Sequence, residues 1–96
     1  EAHDEQEIAT ALSCGTRMIG VNNRNLKNFS VDTGNSGRLR EFVPNSVLFV
    51  AESGIKTRED VAALEAKGVD AVLIGETLMR ASNKRAMLSQ LKGLEV

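Results

Sequence analysis

Residues 47–55 read VLFVAESGI, and the reading of the whole chain starts from them. Val47, Leu48, Phe49, Val50 and Ala51 form an unbroken apolar run that includes β-branched residues. Such a run predicts a strand buried on both faces, as in a parallel sheet covered by helices. It stops at Glu52, Ser53 and Gly54, and a helix-start signal follows at Thr57. A carboxylate, a hydroxyl and a glycine therefore sit where strand gives way to loop. Parallel α/β proteins bind ligands at that edge.

Upstream, Asp4 and Glu7 stand at capping-box spacing and open a helix whose Ile8, Ala11 and Leu12 share one face. Gly15 is its predicted stop. Residues 17–21 (RMIGV) predict a strand that ends in Asn22, Asn23 and Arg24, with a loop running on through Phe29 and Val31. The glycine-bearing residues 34–37 are read as a solvated loop rather than a phosphate cradle. Ser36 is expected to cap a short helix carrying Leu39, Phe42 and Val43, which Pro44 ends.

Downstream, Thr57 and Asp60 form a second cap, Val61 and Leu64 give a buried face, and Gly68 stops that helix. Residues 70–74 (DAVLI) predict a third strand, followed at once by Gly75, Glu76 and Thr77. A helical turn through Leu78, Met79 and Arg80 comes next. Asn83 caps a last helix with Ala86, Met87 and Leu91 inward, Gly93 ends it, and residues 94–96 form a tail. Alternation of strand and helix with short turns means parallel βα units. All three strand ends then share one rim.

The composition is that of an ordinary soluble domain, with 42% apolar and 26% charged residues. Three Phe with no Trp or Tyr, and a net charge of -1, argue against nucleic-acid binding and against an anionic membrane surface. No apolar stretch approaches the roughly 20 residues of a membrane span and no secretory signal is present, so the cytoplasm is the expected compartment. Cys14 is the only cysteine and is expected to be a small packed residue near a helix end. Met18, Met79 and Met87 are read as core. His3 has no second His or Cys placed to make a metal site, and no Ser-His-Asp or Cys-His set is available.

From chemistry alone, Glu52 fits a catalytic carboxylate and an Arg partner equally well. Ser53 suits a turn or a cap, and Asn22 and Asn23 suit turns through their side-chain hydrogen bonds. Arg24 is either a site residue or a solvated charge. The turn after Gly75 offers N–H groups that attract a phosphate dianion, through the backbone of Glu76 rather than its carboxylate. A merely structural turn there has equal standing.

Four stretches together resemble indole-3-glycerol phosphate synthases: residues 1–7 (EAHDEQE), 19–26 (IGVNNRNL), 50–57 (VAESGIKT) and 69–80 (VDAVLIGETLMR). One departure is Asn25, where the family commonly has Asp. The resemblance implies an α/β fold that is part of a TIM (β/α)8 barrel, with residues 1–96 as its C-terminal portion. The tip of strand 5 and parallel strands equivalent to 6–8, with flanking helices, are expected. It implies no cofactor and no metal. The implied reaction decarboxylates, cyclises and dehydrates 1-(2-carboxyphenylamino)-1-deoxyribulose 5-phosphate in tryptophan biosynthesis.

By the same resemblance, Glu1 is the acid/base carboxylate and Asn22 orients the substrate's polar groups. Arg24 holds the constellation or a substrate carboxylate, and Glu52 with Ser53 positions the sugar hydroxyls. Gly54, Gly75 and Glu76 supply the phosphate cradle from their backbone. The family's general-acid Lys on strand 3, and its Glu and Lys on strand 1, have no counterpart here. A barrel takes about 250 residues, so the chain reads as a fragment that is inactive alone and that self-associates or pairs with the other barrel half. A stand-alone half-barrel assembly module, or part of another phosphate-binding barrel, are the competing readings.

Overall fold

A computed structural model describes residues 1–94; of the predicted tail, positions 95 and 96 lie outside the described residues. The elements run α1 (Glu5–Ser13), β1 (Met18–Asn22), α2 (Asn35–Leu39), a 3-10 turn (Arg40–Phe42), β2 (Leu48–Glu52), α3 (Arg58–Ala66), β3 (Ala71–Leu73), α4 (Glu76–Arg80) and α5 (Lys84–Leu91). The strands form one parallel sheet in the order β1-β2-β3. Asn22 pairs with Glu52, and Glu52 with Leu73, so the three C-terminal ends are level. Ala2 adds a single parallel bridge to Val21 on the outer side of β1. The result is an α/β fold with three parallel strands and helices, consistent with part of a barrel.

Local signals place the helices. The Asp4 side chain accepts the Glu7 N–H at 2.8 Å, and Glu7 in turn accepts the His3 N–H at 2.7 Å. Thr57 and Asp60 close a full capping box on α3. Asn83 accepts the Ala86 N–H at 3.0 Å to start α5. Gly15 and Gly68 both adopt positive φ just beyond their helices, as a helix-terminating glycine does. Ser36 is not a cap: Gly34 stands at the start of α2 without a side-chain bond. Ser36 lies inside the helix, fully buried, and donates its N–H to Asn23 Oδ1 at 2.8 Å. Ser36 Oγ has no partner among the described residues. The expected short helix splits at Arg40, its last turn tightening to 3-10 before Val43 takes the extended conformation that Pro44 demands.

The helices cover one sheet face only. Ile8 on α1 packs with Ile19, Val21, Val43, Val47 and Phe49, and Leu64 on α3 packs with Ala51 and Ile55. Strand residues facing this layer are 0–1% exposed: Ile19, Val21, Phe49 and Ala51. The opposite face carries Met18 at 57%, Leu48 at 49% and Leu73 at 62%. This corrects the expectation of a central strand buried on both sides. An unbroken apolar run records that both faces are made to be buried, and only one has its partner here.

Two further expectations fail for related reasons. Cys14 does sit at a helix end, as the C-cap of α1, but it is exposed and not packed. Met79 is 73% exposed and Met18 faces the bare side, so neither is core. Among the described residues, no helix is long and apolar enough to cross a membrane.

Candidate active site

The level strand ends bring the candidate residues to one rim. The bridge from Ala2 to Val21 lays Glu1 beside the end of β1. Asn22 donates from Nδ2 to Glu1 Oε1 at 3.4 Å. Glu52, next along the rim through its register with Asn22, approaches Glu1 closely enough for their carboxyls to share a hydrogen bond. Two acids and an amide thus form a contiguous polar row across three neighbouring segments.

The two acids do not titrate alike. Burial, then the hydrogen bond to Glu1, then its negative charge push the Glu52 carboxyl up to about 7. The same hydrogen bond holds the Glu1 carboxyl below the usual carboxylate range. Two carboxyls at one place cannot both ionise freely, so one keeps a proton. A group that holds a proton near neutrality is equipped for general acid/base work.

Beyond Glu52 the backbone turns sharply. Ser53 and Gly54 both have positive φ, at 72° and 76°. For Ser53 this conformation costs about 1–2 kcal/mol, and such outliers concentrate at functional sites. Thr77 Oγ1 donates to the Ile55 carbonyl at 2.7 Å, tying the first turn of α4 to this loop. An open cleft of about 890 Å³ lies here, lined among others by Arg24, Glu52, Ser53, Gly54, Gly75 and Glu76. Glu1 and Asn22 stand beside the cleft, on the far side of Glu52.

Arg24 is a spanning group, not a free surface charge. Its N–H donates to Asn22 Oδ1 at 2.9 Å and its Nη1 to the Phe29 carbonyl at 3.2 Å. Its Nη2 lies 3.7 Å from Glu76 Oε2, and Arg80 donates to Glu76 Oε1 at 3.1 Å. The Glu76 carboxylate is therefore occupied by two arginines. Asn25 still makes a loop bond, accepting the Lys27 N–H at 2.8 Å.

Asn23, legible in the sequence only as a turn former, ties the rim together. Asn23 is 1% exposed. It donates its N–H to the Glu52 carbonyl at 2.8 Å and its Nδ2 to the Ser53 carbonyl at 3.0 Å, and it accepts from Ser36. His3, set aside above as a ligand or base, lies at the rim with Nδ1 2.9 Å from the Asn22 carbonyl. The doublet of Asn22 and Asn23 after an apolar strand was the available signal, one side chain for each side of the rim. Among the described residues, no group of three or more His, Cys, Asp or Glu is placed to hold a metal ion.

Residues 1–91 match the sequence profile of the family Indole-3-glycerol phosphate synthase. An indole-3-glycerol phosphate synthase of Ruminiclostridium cellulolyticum is 57% identical over 97% of this chain and 36% of its own length. That of Leuconostoc mesenteroides is 56% identical with the same coverage. That of Acetivibrio thermocellus is 48% identical over 98% of this chain and 36% of its own. The chain thus spans about a third of the curated relatives that it matches. A chain in the crystal structure of the Amycolatopsis orientalis BexX/CysO complex aligns with a TM-score of 0.74 over 94% of this chain and 37% of that one. At 20% identity, that likeness concerns the fold alone.

Proposed function

The chain belongs to the indole-3-glycerol phosphate synthase family, and from that premise we propose that it forms the last third of such a synthase's active site. In this reading Ala2 ends strand 5 of a (β/α)8 barrel, and β1, β2 and β3 are strands 6, 7 and 8. The substrate is 1-(2-carboxyphenylamino)-1-deoxyribulose 5-phosphate. It loses carbon dioxide as the indole ring closes and then loses water. The setting is tryptophan biosynthesis in the cytoplasm.

The observation that carries the reading is the row Glu1, Asn22 and Glu52 along the rim, with the Gly75 turn at its end. Glu1 and Glu52 differ in proton affinity, which suits a reaction that both gives and takes protons. Glu1 acts as the acid/base carboxylate, and Asn22 fixes it while orienting the substrate's polar groups. Glu52 and Ser53 position the sugar hydroxyls. Arg24 holds the substrate carboxylate or the surrounding constellation. The backbone N–H groups of Gly54, Gly75 and Glu76 receive the phosphate, which favours such unpaired donors.

The family's lysines of strands 1 and 3 have no counterpart among the described residues; Lys56, which lines the cleft, stands on the loop after β2 and not at a strand end. These 96 residues are therefore inactive without strands 1–5, and their bare apolar face seats the interior of those strands. Mixing the chain with strands 1–5 of a relative tests this. Indole-product formation should appear, and Glu1→Gln should lower it by ~10²–10⁴-fold, the usual contribution of a proton-transferring side chain. A folded complex without turnover overturns the reading. The bare face also favours a second reading, a half-barrel that serves only for assembly; the same complex would then form and stay silent.

A further inference from the structure

We propose that Gly20 is a positioning residue: lacking a side chain, it leaves the trough on β1 in which the Glu52 carboxylate lies against Glu1. The sheet register pairs Gly20 with Val50, two residues before Glu52 on the same face. The Glu52 side chain therefore leans back diagonally across β1, within the reach of long side chains for such pairs. A Cβ built on Gly20 would overlap Glu52 Oε2 and lie 3.2 Å from Cδ and 3.9 Å from Cγ. The three nearest atoms all belong to this one residue.

The backbone gives no competing reason for glycine. Gly20 is not among the positive-φ glycines, and its conformation is that of an ordinary strand residue. Glycine inside a strand weakens it, and marks places where another group must come close. Here that group is a carboxylate. A side chain at position 20 requires the Glu52 carboxylate, the far end of a flexible side chain, to leave the trough and its place against Glu1, whose other contact is the amide of Asn22. Gly20 thus acts through Glu52, and its role in turnover rests on the reading of Glu52 given above.

Carboxyl-resolved NMR titration of the full chain tests the inference without any turnover. In Gly20→Ala, the titration step near 7 should fall by ~1 unit or more toward the ordinary Glu value of about 4.3. The Glu1 step should rise back toward that range. The melting temperature should drop for Gly20→Ala in the parent chain and hold or rise when the same change is made in the Glu52→Ala background. An unchanged Glu52 step overturns the inference. If Gly20→Ala does not fold, a folded double variant supports it, and a double variant that also fails to fold overturns it. Turnover can succeed or fail independently of these readouts.

Discussion

The two faces of the sheet are built from the same strands and obey different rules. Under the helices, Ile19, Val21, Phe49 and Ala51 are sealed within two apolar clusters. On the other side, Met18, Leu48 and Leu73 are comparably apolar and lie open. Apolar strand surface in a soluble protein marks an interaction site when it is contiguous and uncovered. The difference teaches that hydropathy states what a surface is made to meet. It does not state where the meeting surface is encoded.

The sharpest way to break this comparison is a matched pair of truncations on β2. Phe49→Ala should cost about 3–5 kcal/mol, the range for a large buried side chain, which is a large fraction of the stability of a domain. Leu48→Ala, one residue away, should stay within about 0.5 kcal/mol of the parent. Urea unfolding measures both. Equal losses would mean that the bare face has a cover after all.

Light scattering sharpens it next. Alone in solution, the chain should run above its 10.4 kDa monomer mass and increasingly so with concentration. Uncovered apolar strand surface beside an unpaired edge recruits copies. Leu73→Lys should shift the chain toward monomer, while its far-UV circular dichroism stays the same. A parent chain that is strictly monomeric removes the need for a partner on that face.

The smallest effect is a pH slope that belongs to the bare face. The unfolded chain releases the Glu52 proton near 4.5, whereas the folded chain holds it to about 7. Between those values the folded state binds more protons, so stability falls as pH rises. The contribution is complete below 4.5 and lost above 7. Glu1, held low, works in the opposite sense, below its ordinary value. Melting temperature should decline across this window, and Glu52→Gln should flatten the decline.

The features legible in the sequence were those written by local chemistry. The caps at Asp4, Thr57 and Asn83, and the glycine stops at 15 and 68, depend on neighbours within a few residues, and they stand where the sequence put them. The strand cores and their common direction followed from apolar runs alternating with helices. Burial did not follow so well. Met18, Met79 and Cys14 are exposed, because residue type reports a tendency and not the presence of a packing partner. At the rim, each strand end announced polar groups, but their connections were hidden. The meeting of Glu1 with Glu52 depends on register across three segments and on the missing side chain of Gly20. Asn23 and Ser36, 13 residues apart, are joined by a bond that no local pattern encodes.

Asn23 has one more bond, accepting the Asp32 N–H on its carbonyl at 2.8 Å. Arg24 and Val31 pair antiparallel just inside it, and Asn25 exchanges backbone bonds with Phe29 and Ser30. The excursion between β1 and α2 is thus a closed ring, sealed at its own base. Its tip, residues 25–30, reaches the rim through the Phe29 carbonyl on Arg24 Nη1, so a different turn spliced in there should loosen Arg24 while Asn22 and Ser36 keep their places.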